Sequence, residues 1–152
     1  MLRFISAFAL FVAITAATAS SDAITQEPRT FRPYSETAVA ITGPVVLSTD
    51  RMFFETGAFL ELENISHAAS GDWGVSGGVA TAQLYRVSGR VGPLRQGNPL
   101  CGAEPITYLA AWEESGSGSG YLGIAMFTGT DMPSGVKDPD ICAIYFYSTG
   151  DE

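Results

Sequence analysis

The chain reads as a small, single-domain all-β protein, an antiparallel barrel or sandwich of about 6–8 short strands. Two observations predict this. Apolar and polar residues alternate in short runs separated by Gly- and Pro-containing turns, and no stretch beyond the N-terminus keeps the i, i+3, i+4 spacing of an amphipathic helix. In addition, the roughly 130 residues that follow an export signal are the size of one hydrophobic core.

The N-terminal element is that signal. MLRFISAFALFVAITAATASSDA carries a positive charge at Arg3, an apolar run over residues 4–17 and a small-x-small site at Ala17-Thr18-Ala19. These are the parts of a cleavable secretion signal. The run falls short of the roughly 20 apolar residues that a membrane-spanning helix needs. Residues 1–19 are therefore expected to be removed, with no membrane insertion afterwards. No Cys precedes Cys101, which argues against lipid anchoring by the lipoprotein route. The style of the signal points to a bacterial protein exported to the periplasm or beyond.

The next segment, residues 20–36, is polar, contains prolines and shows no periodicity, so it is expected to be flexible. A single β domain over residues 37–152 should follow. AVAITGPVVLS, residues 38–48, is rich in β-branched residues and is interrupted by Gly43-Pro44, as for an edge strand, a bulge or two short strands at a corner. RMFFETGAFLELENI reads as strand, turn at Thr56-Gly57 and strand, with Leu60 and Leu62 on one face and Glu61 and Glu63 on the other. Residues 66–78 are glycine-rich around Trp73 and read as a loop, GVATAQLYRVSG as a strand, and residues 90–102 as a loop again.

TYLAAWEESGSGSGYLGIAMF then places a Ser-Gly run between two alternating segments. Only about 25 residues follow Phe127, too few for a second domain, so the run is predicted to be a hairpin tip rather than a linker. After the turn-rich residues 131–140, ICAIYFYST is the last strand, with Cys142, Ile144 and Phe146 on one face and Ala143, Tyr145 and Tyr147 on the other. The two cysteines, in an exported protein, predict a Cys101–Cys142 disulfide. Closing a loop of roughly 40 residues would stabilise the fold by about 4 kcal/mol.

Charge narrows the partners. Eight basic residues against 16 acidic ones give a net charge of −8, made more negative when Arg3 leaves with the signal. Nucleic acid and anionic lipid would be repelled, because both are bound through clustered Lys and Arg. A basic secreted protein would be attracted.

Catalytic chemistry finds few candidates. The chain has one histidine, His67, and no nucleophile elbow. Glu61 with Glu63, or Glu113 with Glu114, could form a hydrolase carboxylate pair, but alternation with leucines and a strand end explain them more simply. Asp131, Asp138 and Asp140 do not follow the calcium-loop spacing and read as turn residues. Neither a cofactor nor a metal is expected. Arg86, Arg90 and Arg95 read as scattered surface charges around a loop.

Binding residues are sought among the aromatics. With a symmetric hairpin register, Tyr108, Trp112, Tyr121 and Phe127 share one face beside Gly123 and Ala125, as in the lining of a ligand cavity or an ordinary β core. Ser117-Gly118-Ser119-Gly120-Tyr121 resembles the S-G-x-x-Y loop motif of the bacterial periplasmic inhibitors of c-type lysozyme, which are small exported β-barrels pinned by a disulfide. Their second motif, Y-x-x-x-T-K-G, has no counterpart here. The resemblance implies a partner loop at Ser117, Gly118 and Tyr121.

The sequence thus predicts an exported, non-catalytic binding protein. It would take a small apolar ligand inside the barrel or a protein partner through its loops. The alternatives are a lysozyme-inhibitor-like protein acting through that loop, and a small carboxylate-based hydrolase.

Overall fold

A computed structural model describes residues 27–74, 78–79, 81–115 and 120–149. Among them the strands are β1 (Arg29–Pro33), β2 (Val45–Leu47), β3 (Arg51–Phe54), β4 (Phe59–Ser70), β5 (Thr81–Ser88), β6 (Tyr108–Ser115), β7 (Gly120–Phe127) and β8 (Ile141–Ser148). Each strand pairs antiparallel with its sequence neighbours, and β8 returns to β1, so the sheet is a closed eight-stranded barrel rather than a sandwich. Closure removes the exposed edges that an open sheet would present. The disulfide joins Cys101 to Cys142, with the Cα atoms 5.3 Å apart.

Three expectations need correction. Residues 29–33 lie within the segment expected to be flexible, yet they form β1, which pairs with β2 and, through Arg32 and Pro33, with Ser148 and Tyr147 of β8. One apolar residue, Phe31, in a five-residue strand ending in proline leaves little periodicity to detect. Its stability comes from neighbours distant in sequence. Second, residues Ala38–Thr42 are a π-helical turn and not a strand, and only Val45–Leu47 extends. The Gly43 N–H donates to the Ala38 carbonyl at 2.9 Å, and Gly43 adopts a φ of 62° that a β-branched residue would resist. Burial of Ala38 and Thr42 overrides the strand propensity of the segment. Third, β4 extends to Ser70, through part of the expected loop, with register shifts between Asn64 and Ser66 and between Ser66 and Ala69. Such bulges bend a strand and obscure its alternation.

The β3–β4 turn is where the sequence placed it. Gly57 has a φ of 85°, and its N–H donates to the Phe54 carbonyl at 2.9 Å.

The alternation of each strand sorts its side chains to the two sides of the wall. The inner face holds Phe31, Val45, Met52, Phe54, Leu60, Leu62, Tyr85, Val87, Leu109, Ala111, Leu122, Ile124, Met126, Tyr145 and Tyr147 in one buried cluster. Ala38, Leu94, Leu100 and Ile106 join that cluster from the connections at one end of the barrel. Buried phenols are satisfied there. Tyr145 Oη donates to the Leu100 carbonyl at 2.8 Å, and the Tyr147 and Thr42 hydroxyls lie 2.9 Å apart. These connections plug the end at which β1 finishes and β2 begins. The opposite end, where β1 begins and β6 finishes, is the open one.

Candidate functional site

The register of the β6–β7 hairpin is symmetric, as expected. Tyr108 pairs with Phe127, Trp112 with Gly123 and Glu114 with Tyr121. Tyr108, Trp112, Tyr121 and Phe127 therefore share a face. It is the outer face, because Leu109, Ala111, Leu122, Ile124 and Met126 of the same strands occupy the inside. The expectation that these aromatics work from the barrel interior is corrected accordingly.

Tyr108, Trp112 and Phe127 belong to a second core outside the wall, shared with Trp73, Ala82, Leu84, Ala110 and Ala125. Trp73, fully buried, lies 6.5 Å from Trp112 and edge-on to Phe127 at 6.4 Å between ring centres. Its indole N–H donates to the Ala69 carbonyl at 2.9 Å. Backbone bonds from Asp72 N–H to the Ser134 carbonyl and from Val136 N–H to the Asp72 carbonyl tie this cover to the β7–β8 connection, and Lys137 meets Asp72 at 2.9 Å. The four-residue span Ser70 to Trp73 thus starts a cover for one side of the barrel. The reading of residues 66–78 as a plain loop missed it.

Tyr121 stands apart from this cluster. Its ring packs on that of Tyr34, centres 4.5 Å apart, and their hydrogen bond raises the Tyr34 pKa above the ordinary phenol value. Ser117 and Gly118, the other members of the expected partner loop, lie outside the described residues, as does the expected signal at residues 1–19.

The open end holds a cleft of about 170 Å³. Its floor is apolar, made by Phe31, Leu47, Ala111 and Leu122, and its rim is polar, with Glu27, Arg29, Ser48, His67, Thr81, Gln83 and Glu113. Arg29 and Glu113 lie on strands that are not neighbours in the sheet, yet their side chains meet at 2.9 Å. They form an ion pair across the mouth. The Arg29 guanidinium also sits 4.9 Å from the centre of the Phe31 ring, two residues along the same strand face. Below the rim, Tyr85 Oη donates to Gln83 Oε1, and burial raises the Tyr85 pKa.

Several other charged residues have structural partners. Glu61 and Glu63 are exposed on the outer side of β4, where Glu61 accepts from Ser88 Oγ and Glu63 meets Arg86, both at 3.4 Å. Glu114 accepts the Trp112 indole N–H at 2.9 Å. Arg95 donates to Glu55 at 2.5 Å and to the Val39 carbonyl at 2.6 Å, pinning the π-helical turn to the β5–β6 connection. Asp138 Oδ1 accepts the Asp140 N–H at 3.1 Å, a turn contact. Among the described residues, no three His, Cys, Asp or Glu side chains come close enough to hold a metal ion. A second cleft of about 270 Å³ lies along the Gly- and Pro-rich residues 89–106 at the plugged end. Among the described residues, Arg90 and Glu104 are its charged lining residues.

Sequence reasoning missed Arg29, Phe31 and Glu27 because they lie in the segment set aside as flexible, and treated His67 as incidental. The one available signal was Glu27-x-Arg29-x-Phe31, a period-two pattern too short to stand out. No protein-family model matches the chain, and neither the curated proteins nor the solved structures compared with it give a match.

Proposed function

We propose that this is an exported, non-catalytic binding protein that engages a partner protein through the open end of its barrel. The observation that carries the reading is the mouth cleft: an apolar floor ringed by charged and hydrogen-bonding side chains, above an interior already filled by large residues. A cleft of about 170 Å³ is smaller than the roughly 300–1,000 Å³ typical of small-molecule pockets. It suits one inserted side chain, the anchor arrangement common at protein interfaces. The net charge of −8 favours a basic partner. The disulfide is consistent with an oxidising, exported compartment. The signal-like N-terminus supports export to the periplasm or beyond, in a bacterium. The non-catalytic reading is supported by Glu61, Glu63 and Glu113 each having a structural hydrogen-bond partner.

A second reading keeps the resemblance to lysozyme inhibitors, with Ser117, Gly118 and Tyr121 as the contact. It is favoured by the strand pairing of β6 with β7, which continues to Ser115 and Gly120, on either side of Ser117 and Gly118.

One experiment separates them. The secreted protein is used to capture partners from its own compartment as wild type, as Thr81→Trp, which covers the mouth, and as Ser117→Ala with Tyr121→Ala. The proposal expects a partner held by wild type and the hairpin variant but lost by Thr81→Trp. Loss from the hairpin variant alone, with inhibition of c-type lysozyme by wild type, would replace it with the second reading.

A further inference from the structure

Within the open-end reading, we infer that the mouth is a receptor for a cationic side chain, an arginine or lysine of the partner, and that Arg29 holds the place until the partner displaces it. The inference rests on that reading and adds the chemistry of the ligand.

The site is already assembled around a guanidinium. Arg29 places its cation against the Phe31 ring at 4.9 Å and against the Glu113 carboxylate at 2.9 Å, an aromatic face and an anion that together favour a cation. Glu27 lines the same cleft and supplies a second carboxylate. The ion pair is half-exposed on both sides, and such pairs cost little to break. Arg29 is exposed on the first strand of the barrel and lies outside the buried core, so its side chain can swing out without disturbing that core. An incoming arginine would keep the ring and carboxylate contacts and add burial against Leu47, Ala111 and Leu122. Neutral or acidic side chains would leave Glu113 and Glu27 without that compensation.

Exchange has a signature that a merely structural ion pair lacks. Removing the resident cation should tighten binding, whereas removing its anion should weaken it. The experiment is a nuclear magnetic resonance titration of the mature, disulfide-bonded protein with Nα-acetylarginine amide, its uncharged isostere Nα-acetylcitrulline amide and Nα-acetylleucine amide. The expected result is saturable shifts at Phe31, Gln83 and Glu113 with the arginine amide alone. Arg29→Ala should tighten that binding by roughly tenfold and Glu113→Gln weaken it by roughly tenfold or more, the scale of one charge-assisted contact. Thermal unfolding of both variants close to wild type would confirm that each remains folded.

Weaker binding in Arg29→Ala would overturn the exchange, because Arg29 would then be part of the receptor. Equal binding of the citrulline amide, or preference for the leucine amide, would overturn the cation selectivity yet leave the open-end reading in place. The absence of shifts at the mouth with any amide would overturn the inference. A partner still lost by Thr81→Trp would then show that the open-end reading survives it.

Discussion

The Trp112 indole packs directly on Gly123, its cross-strand partner on β7. A Cβ at position 123 would lie 2.7 Å from the indole Nε1 and overlap the ring. The contact joins the wall of the barrel to its outer core. Gly123→Ala should therefore cost about 1–3 kcal/mol, the usual range for overpacking, as measured by urea unfolding. Unchanged stability would show that the indole has room to move.

Trp73 should matter as much, although it lies outside the barrel. Trp73→Ala removes a fully buried ring that covers Trp112 and Phe127, and the expected loss is about 3–5 kcal/mol. Trp73→Phe should lose less, because it keeps much of the packing and gives up the bond to the Ala69 carbonyl. Denaturant midpoints of the two variants check the order.

Alkaline pH should unfold the protein through its buried phenols. Burial raises the Tyr145 pKa to about 12 and raises that of Tyr147 further, while both titrate near 10 in the unfolded chain. Because the folded state holds their protons more tightly, this stabilisation is intact below pH of about 10 and is lost as the pH rises towards 12 and beyond. Phenolate absorbance followed alongside far-ultraviolet circular dichroism should show a late step, from Tyr145 and Tyr147, that coincides with unfolding. A late step with the fold intact would contradict this.

Reduction should weaken the fold. Cys101 and Cys142 are 41 residues apart in sequence, and loss of that cross-link is expected to cost about 4 kcal/mol on chain-entropy grounds. The double variant Cys101→Ala with Cys142→Ala tests this by its denaturant midpoint, compared with that of the oxidised wild type.

Much of the fold was legible in the sequence. Alternation in Arg51–Phe54, in the first half of β4 and in β5 to β8 identified those strands and their two faces, and the cysteine count gave the disulfide. Alternation cannot say which face of a strand turns inward when both are apolar. Tyr108, Ala110 and Trp112 look as core-like as Leu109 and Ala111, and only the cover carrying Trp73 explains both. β1 was hidden because its five residues depend on partners from β2 and β8. With it went Arg29, and so half of the ion pair at the mouth. Ala38–Thr42 shows the opposite failure, a strand-like composition forced into a π-helical turn by burial of its ends.

The central claim, that the open end of the barrel is the binding surface, is tested most directly by photo-cross-linking in the protein's own compartment. A cross-linking amino acid is placed either at His67 on the mouth or at Glu104 in the cleft at the plugged end. The account predicts a partner adduct from position 67 and none from position 104. An adduct from position 104 alone would contradict it.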